Sequence, residues 1–90
     1  MAHTEVIERV ERMERRFDAL TAALRSPDTL ASPEVREDFA ALSAYLTGAW
    51  LADYELDRRG ALPPALKRGV LSQDALYELL CRADAVGVKE

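Results

Sequence analysis

Val6, Val10, Met13, Phe17, Leu20 and Leu24 are separated by alternating steps of four and three residues, a spacing that keeps apolar side chains on one face of a helix. It predicts a first helix from Thr4 or Glu5 to Leu24 or Arg25. Pro27 and Pro33 then bracket a loop, with Ser32 placed to cap the next helix and Pro33 in the first turn, where its missing N–H costs nothing. Val35, Phe39, Leu42 and Leu46 repeat the spacing, so the second helix can return antiparallel along the first.

The rhythm stumbles at Tyr45-Leu46-Thr47-Gly48, where Thr47 can cap a new start and glycine weakens a helix. A kink and a full break are both open there. The segment AWLADYELDRRG resumes helically, with Trp50 and Tyr54 one turn apart and Gly60 suited to the left-handed residue that ends it. Leu62-Pro63-Pro64 must be extended or turned, since a residue before proline is pushed out of the helical region. A last helix begins at the Ser72 cap and carries Leu76, Leu79, Leu80 and Ala83 inward. The predicted fold is all-α, a bundle of three to four helices in one domain over residues 1–90. An antiparallel hairpin is followed by a Pro-containing elbow and a third, C-terminal helix. Leu62, Leu66, Val70 and Leu71 are expected beneath the elbow against Trp50, Tyr54 and Leu76.

A chain of 90 residues leaves no room for a separate cofactor domain, and 49% hydrophobic residues is a folded composition. The first residues lack a signal-peptide pattern and no apolar run reaches membrane-spanning length, so the expected location is cytoplasmic. The formal net charge is −4, and it is unevenly spread. Residues 1–26 balance five acids with five arginines and residues 61–90 four with four, whereas residues 27–60 set seven acids against three arginines. An acidic middle suits a basic partner surface and disfavours a phosphate backbone.

WLADYELDRRG followed by LPPALKRGVLSQDALYELL resembles a bacterial family of small proteins catalogued as the domain of unknown function 4298 family. Its members share a Trp with Asp-Tyr-Glu on one helix, a Gly-x-Leu-Pro step and a Leu-Lys-Arg-Gly-Val-Leu-Ser segment. Those correspond here to Trp50, Asp53-Tyr54-Glu55, Gly60-Ala61-Leu62-Pro63 and Leu66 to Ser72. The resemblance covers roughly the second half of the chain and implies no activity.

Chemistry is sparse. Cys81 has no second cysteine, and with the lone His3 it cannot build a zinc site. Asp53, Glu55 and Asp57 alternate like the opening of an EF-hand, but Arg58 stands where glycine is required and Pro64 where glutamate is. Lys67 and Arg68 lie near the free N–H groups of the Ser72 helix start, an anion-attracting combination. Ser72 and Asp74 already satisfy that end, so the elbow reads as fastening, with Lys67 or Arg68 paired to Asp53 or Asp57. Glu5–Arg9, Glu8–Arg12 and Glu11–Arg15 are acid-before-base pairs worth a few tenths of a kcal/mol each on a solvated face.

The expectation is a non-enzymatic interaction module, an adaptor, inhibitor or regulatory subunit with a protein partner and no cofactor or metal. Trp50, Asp53, Tyr54, Asp57, Lys67, Arg68 and Tyr77 are its candidate interaction or elbow-fastening residues. A nucleic-acid accessory role through Arg9, Arg12 and Arg16, or through Lys67 and Arg68, is the alternative. The first helix could also form a homodimer with Val10 at a heptad core position, Arg9 of one chain then facing Glu14 of the other.

Overall fold

Helix α1 runs Thr4–Ala23, and its C-terminus tapers rather than stopping where the apolar stripe does. Leu24 still donates to the Leu20 carbonyl at 3.1 Å, but Arg25 and Ser26 bond three residues back, to Ala22 and Ala23. That tightening is the usual way a helix end shares its orphan carbonyls. A single 3₁₀ turn over Pro27–Thr29 reverses the chain into α2, Pro33–Thr47. Ser32 caps α2 as expected, its hydroxyl accepting from the Val35 N–H at 3.4 Å, with Pro33 in the first turn. Helix α3, Trp50–Arg58, precedes the elbow, and after a second 3₁₀ turn, Gly69–Leu71, α4 covers Gln73–Ala85. This computed structural model describes residues 3–88, so the outermost residues of the domain expected over 1–90 lie outside it. No strand occurs among the described residues.

The junction left open in the sequence is a full break. Thr47 ends α2, Gly48 leaves helical geometry at φ −114° and ψ −104°, and α3 begins two residues on. Thr47 does not cap the new helix. Its hydroxyl turns back to the carbonyls of Ser43 and Ala44, and Ala49 takes the cap position without a side-chain bond. Glycine is needed at 48 because a Cβ there would meet the Ala44 carbonyl oxygen at 2.9 Å.

Helices α3 and α4 end alike. Gly60 (φ 75°) and Gly87 (φ 95°) are left-handed, and Ala61 and Val88 donate to the carbonyls of Leu56 and Ala83, five residues earlier. These are Schellman closures, which pair the last carbonyls of a helix with the chain leaving it. The second, unforeseen in sequence, folds Val88 back into the core.

Helix α1 packs on α2, on the Gly69–Leu71 turn and on α4, and α4 packs on α2. Arg16 of α1 meets Asp38, while Arg9, two turns earlier, reaches Asp53, to which Tyr45 near the end of α2 also bonds. The two helices are therefore antiparallel. Val10 and Leu20 are fully buried, while Val6, Met13, Phe17 and Leu24 pack at the core's edge. On α2, Val35 and Leu42 are buried as expected, but Tyr45 goes deeper than Phe39 or Leu46. All of Leu76, Leu79, Leu80 and Ala83 face inward, and Leu62, Leu66, Val70 and Leu71 are buried beneath the elbow. Each such Leu or Val contributes roughly 1.5–3 kcal/mol by leaving water.

Candidate functional site

The polar residues of the second half converge on the meeting of α1, α3 and the elbow. Asp53 lies in the first turn of α3, three residues after Trp50 and hence on nearly the same face, and its side chain is wholly buried. A carboxylate in that position requires partners. Arg9 of α1 supplies two donors: Nε to Oδ2 at 2.8 Å and a terminal nitrogen to Oδ1. Tyr45 of α2 adds a third, its hydroxyl donating to Oδ2 at 2.8 Å. Three helices thus meet on one carboxylate. Burial, and next the bond to Asp53, push the Tyr45 hydroxyl well above the ordinary tyrosine range. The Arg9 guanidinium is held more firmly protonated, chiefly by that same carboxylate.

The elbow hangs on the two backbone groups of one residue, Val70. Trp50 Nε1 donates to the Val70 carbonyl at 3.0 Å, and the Val70 N–H donates to Glu14 Oε1 at 2.8 Å. Tyr54 stacks on Trp50 with ring centroids 4.9 Å apart and planes 13° from parallel. Arg68 donates from Nε to Asp57 Oδ1 at 2.9 Å and from its terminal nitrogens to the carbonyls of Pro63 and Pro64, at 2.8 and 3.3 Å. The guanidinium caps the acceptors of a Pro-Pro step that cannot enter a helix ladder.

The expected pairing of an elbow cation with α3 is therefore present as Arg68–Asp57. For Asp53 the expectation needs correction, because its partner comes from the first helix. Arg9 is accordingly not part of an outward stripe, and Glu5–Arg9 is not an ion pair. Arg16 also turns aside, to Asp38 of α2 at 3.0 Å. Lys67 is exposed and borders a depression of about 320 Å3 with Glu11, Glu14, Arg15, Asp18, Ala65 and Leu66. Tyr77 is exposed and apart from this network. Ser72 caps α4 through the Ala75 N–H at 3.3 Å. Among the described residues no three His, Cys, Asp or Glu side chains gather as a metal cage.

Glu14 and Tyr45 were missed as anchors. A signal for one existed: on a helix whose Trp50 faces inward, Asp53 faces inward too, and its carboxylate then needs donors such as an arginine or a hydroxyl. For Glu14 no sequence signal pointed to a backbone N–H 56 residues away. The carboxylates of this arrangement accept from donors that tie the helices and the elbow together.

A family model described as Domain of unknown function (DUF4298) matches residues 5–88, which extends the likeness read in the second half to nearly the whole chain. No curated protein and no solved structure matches the chain.

Proposed function

The chain belongs to that domain of unknown function family across residues 5–88, and from this premise we propose that it is a small cytoplasmic interaction module, an adaptor, inhibitor or regulatory subunit, without catalysis of its own. One observation carries the reading: the buried and half-buried polar side chains of this network, Asp53, Tyr45, Glu14 and Arg68, are spent tying helices and elbow together. Side chains tied into the fold serve rigidity, and a rigid surface loses little entropy on docking. Leu51, Tyr77 and Val86 are the large hydrophobic side chains that stand exposed among the described residues, and they are the natural apolar contacts. No helix among the described residues is long and apolar enough to cross a membrane.

Nucleic-acid binding is the weaker reading because Arg9 and Arg68, a member of each proposed basic set, are engaged by Asp53 and Asp57. A homodimer is a further proposal, and it would draw on the same exposed side chains. The test is capture of a tagged chain from its native host beside folded Leu51→Asp and Tyr77→Asp variants. A stoichiometric protein retained by the parent and lost from one variant is expected. Absence of such a protein, together with oligonucleotide binding tighter than about 1 μM at physiological salt, would replace the module with the nucleic-acid reading.

A further inference from the structure

Arg12, Arg15 and Arg16 line one open depression of about 230 Å3 at the seam of α1 and α2, with Asp38 of α2 completing it. Residues three and four apart on a helix share a face, so three guanidiniums are gathered there. Arg16 bonds Asp38 through one terminal nitrogen. A guanidinium has five N–H donors, so that single bond orients the group and leaves most of its donors unspent. Arg12 and Arg15 form no ion pair with any described carboxylate, although Glu8 and Glu11 lie one turn before them. Such exposed i,i+4 pairs are too weak to hold an arginine from a doubly charged ligand.

The geometry points to a binding site for a phosphate group, as a phosphate monoester or pyrophosphate, with Arg16 as the preset donor and Arg12 and Arg15 closing from solvent. A carboxylate is satisfied by one guanidinium fork, whereas a tetrahedral dianion can use three. The depression is smaller than the roughly 300–1,000 Å3 of pockets that take whole drug-sized ligands. It suits a group rather than an entire nucleotide. An extended polyanion fits poorly: Arg9, which would continue the row, is turned to Asp53, and Glu34 and Glu37 flank Asp38 with like charge. The net charge of −4 does not forbid the site, because charges beyond about 8 Å are screened at physiological salt. The site stands whether or not a protein partner docks at Leu51 or Tyr77.

The test follows arginine Nε–H resonances of the purified chain at physiological salt during titration with pyrophosphate, and separately with a phosphoserine peptide and its unphosphorylated twin. Saturable shifts at Arg12, Arg15 and Arg16 are expected, with affinity falling at least about tenfold in Arg12→Gln/Arg15→Gln, the effect of losing one charge-assisted bond or more. Both positions are exposed, so the variant should keep the parent's circular dichroism. Saturation by pyrophosphate alone identifies a free anion as ligand, and saturation by the phosphopeptide a protein-borne one. No saturation by either up to roughly 10 mM, undiminished binding by the variant, or binding of an oligonucleotide alone would overturn the site. None of these failures bears on partner capture, which is read at Leu51 and Tyr77.

Discussion

Asp53 keeps a carboxylate out of water, and the cost is offset only while Arg9 and Tyr45 both donate to it. Replacing Arg9 by Met should lower stability by about 3 kcal/mol in urea unfolding, the low end for a broken buried pair because the arginine end is partly wet. Tyr45→Phe should cost roughly 1–3 kcal/mol, since the ring still fills its place and only the bond is lost. The pH dependence follows from the same hydroxyl. Its folded-state pKa is raised, so above the ordinary tyrosine value of about 10 the unfolded chain loses this proton while the folded one keeps it. Stability from Tyr45 is complete below that value and falls as pH rises past it. Thermal melts between roughly pH 8 and 11 should show the decline, and Tyr45→Phe should flatten it. Asp38 offers the opposite balance: burial raises its pKa despite the bond from Arg16, so the charged form is a net cost relative to the unfolded chain. Asp38→Asn should therefore change stability by less than about 1 kcal/mol.

The α2–α3 break matters more than its two residues suggest, because it sets the direction in which Trp50 and Asp53 enter the core. Gly48→Ala places a methyl against a backbone oxygen of α2, which cannot swing aside as a side chain would. A loss of roughly 1–3 kcal/mol is expected, the usual cost of overpacking. The elbow is held at both backbone groups of Val70, by Glu14 at the N–H and by Trp50 at the carbonyl. Amide exchange at Val70 reports it directly. Glu14→Gln should keep the Val70 N–H protected, while Glu14→Ala should let it exchange at least about tenfold faster, as a local opening worth one lost bond requires.

The molecule is long and thin, 43 × 18 × 17 Å along its principal axes, and α1 is its spine. The stripe that could have served a parallel dimer is occupied within the chain: Val10 is fully buried, Arg9 bonds Asp53 and Glu14 bonds Val70. Val10→Glu should abolish cooperative unfolding instead of dissociating subunits, whereas Tyr77→Asp should leave the fold intact. Sedimentation at micromolar concentration, with circular dichroism on both variants, separates these outcomes. A folded, monomeric Val10→Glu beside a dimeric parent would return α1 to the role of interface.

Helix periodicity, the caps at Ser32 and Ser72 and the left-handed Gly60 are local matters of backbone sterics and nearest-neighbour hydrogen bonds, and they were readable along the chain. The burial of Leu62, Leu66, Val70 and Leu71 was readable as well, since apolar residues around a stiff Pro-Pro step have few other places to go. Arg68–Asp57, eleven residues apart across one turn, lay within the reach of the same reasoning. Arg9–Asp53, 44 residues apart, did not, and neither did Glu14–Val70. On an isolated helix Arg9 has Glu5 one turn away and solvent on every other side. Bringing Arg9 to the start of α3 exchanges that weak, hydrated pairing for a desolvated carboxylate with one further donor, the Tyr45 hydroxyl. Which arginine is drawn inward, and which three are left around Asp38, depends on the relative placement of two helices, a quantity that no local rule contains.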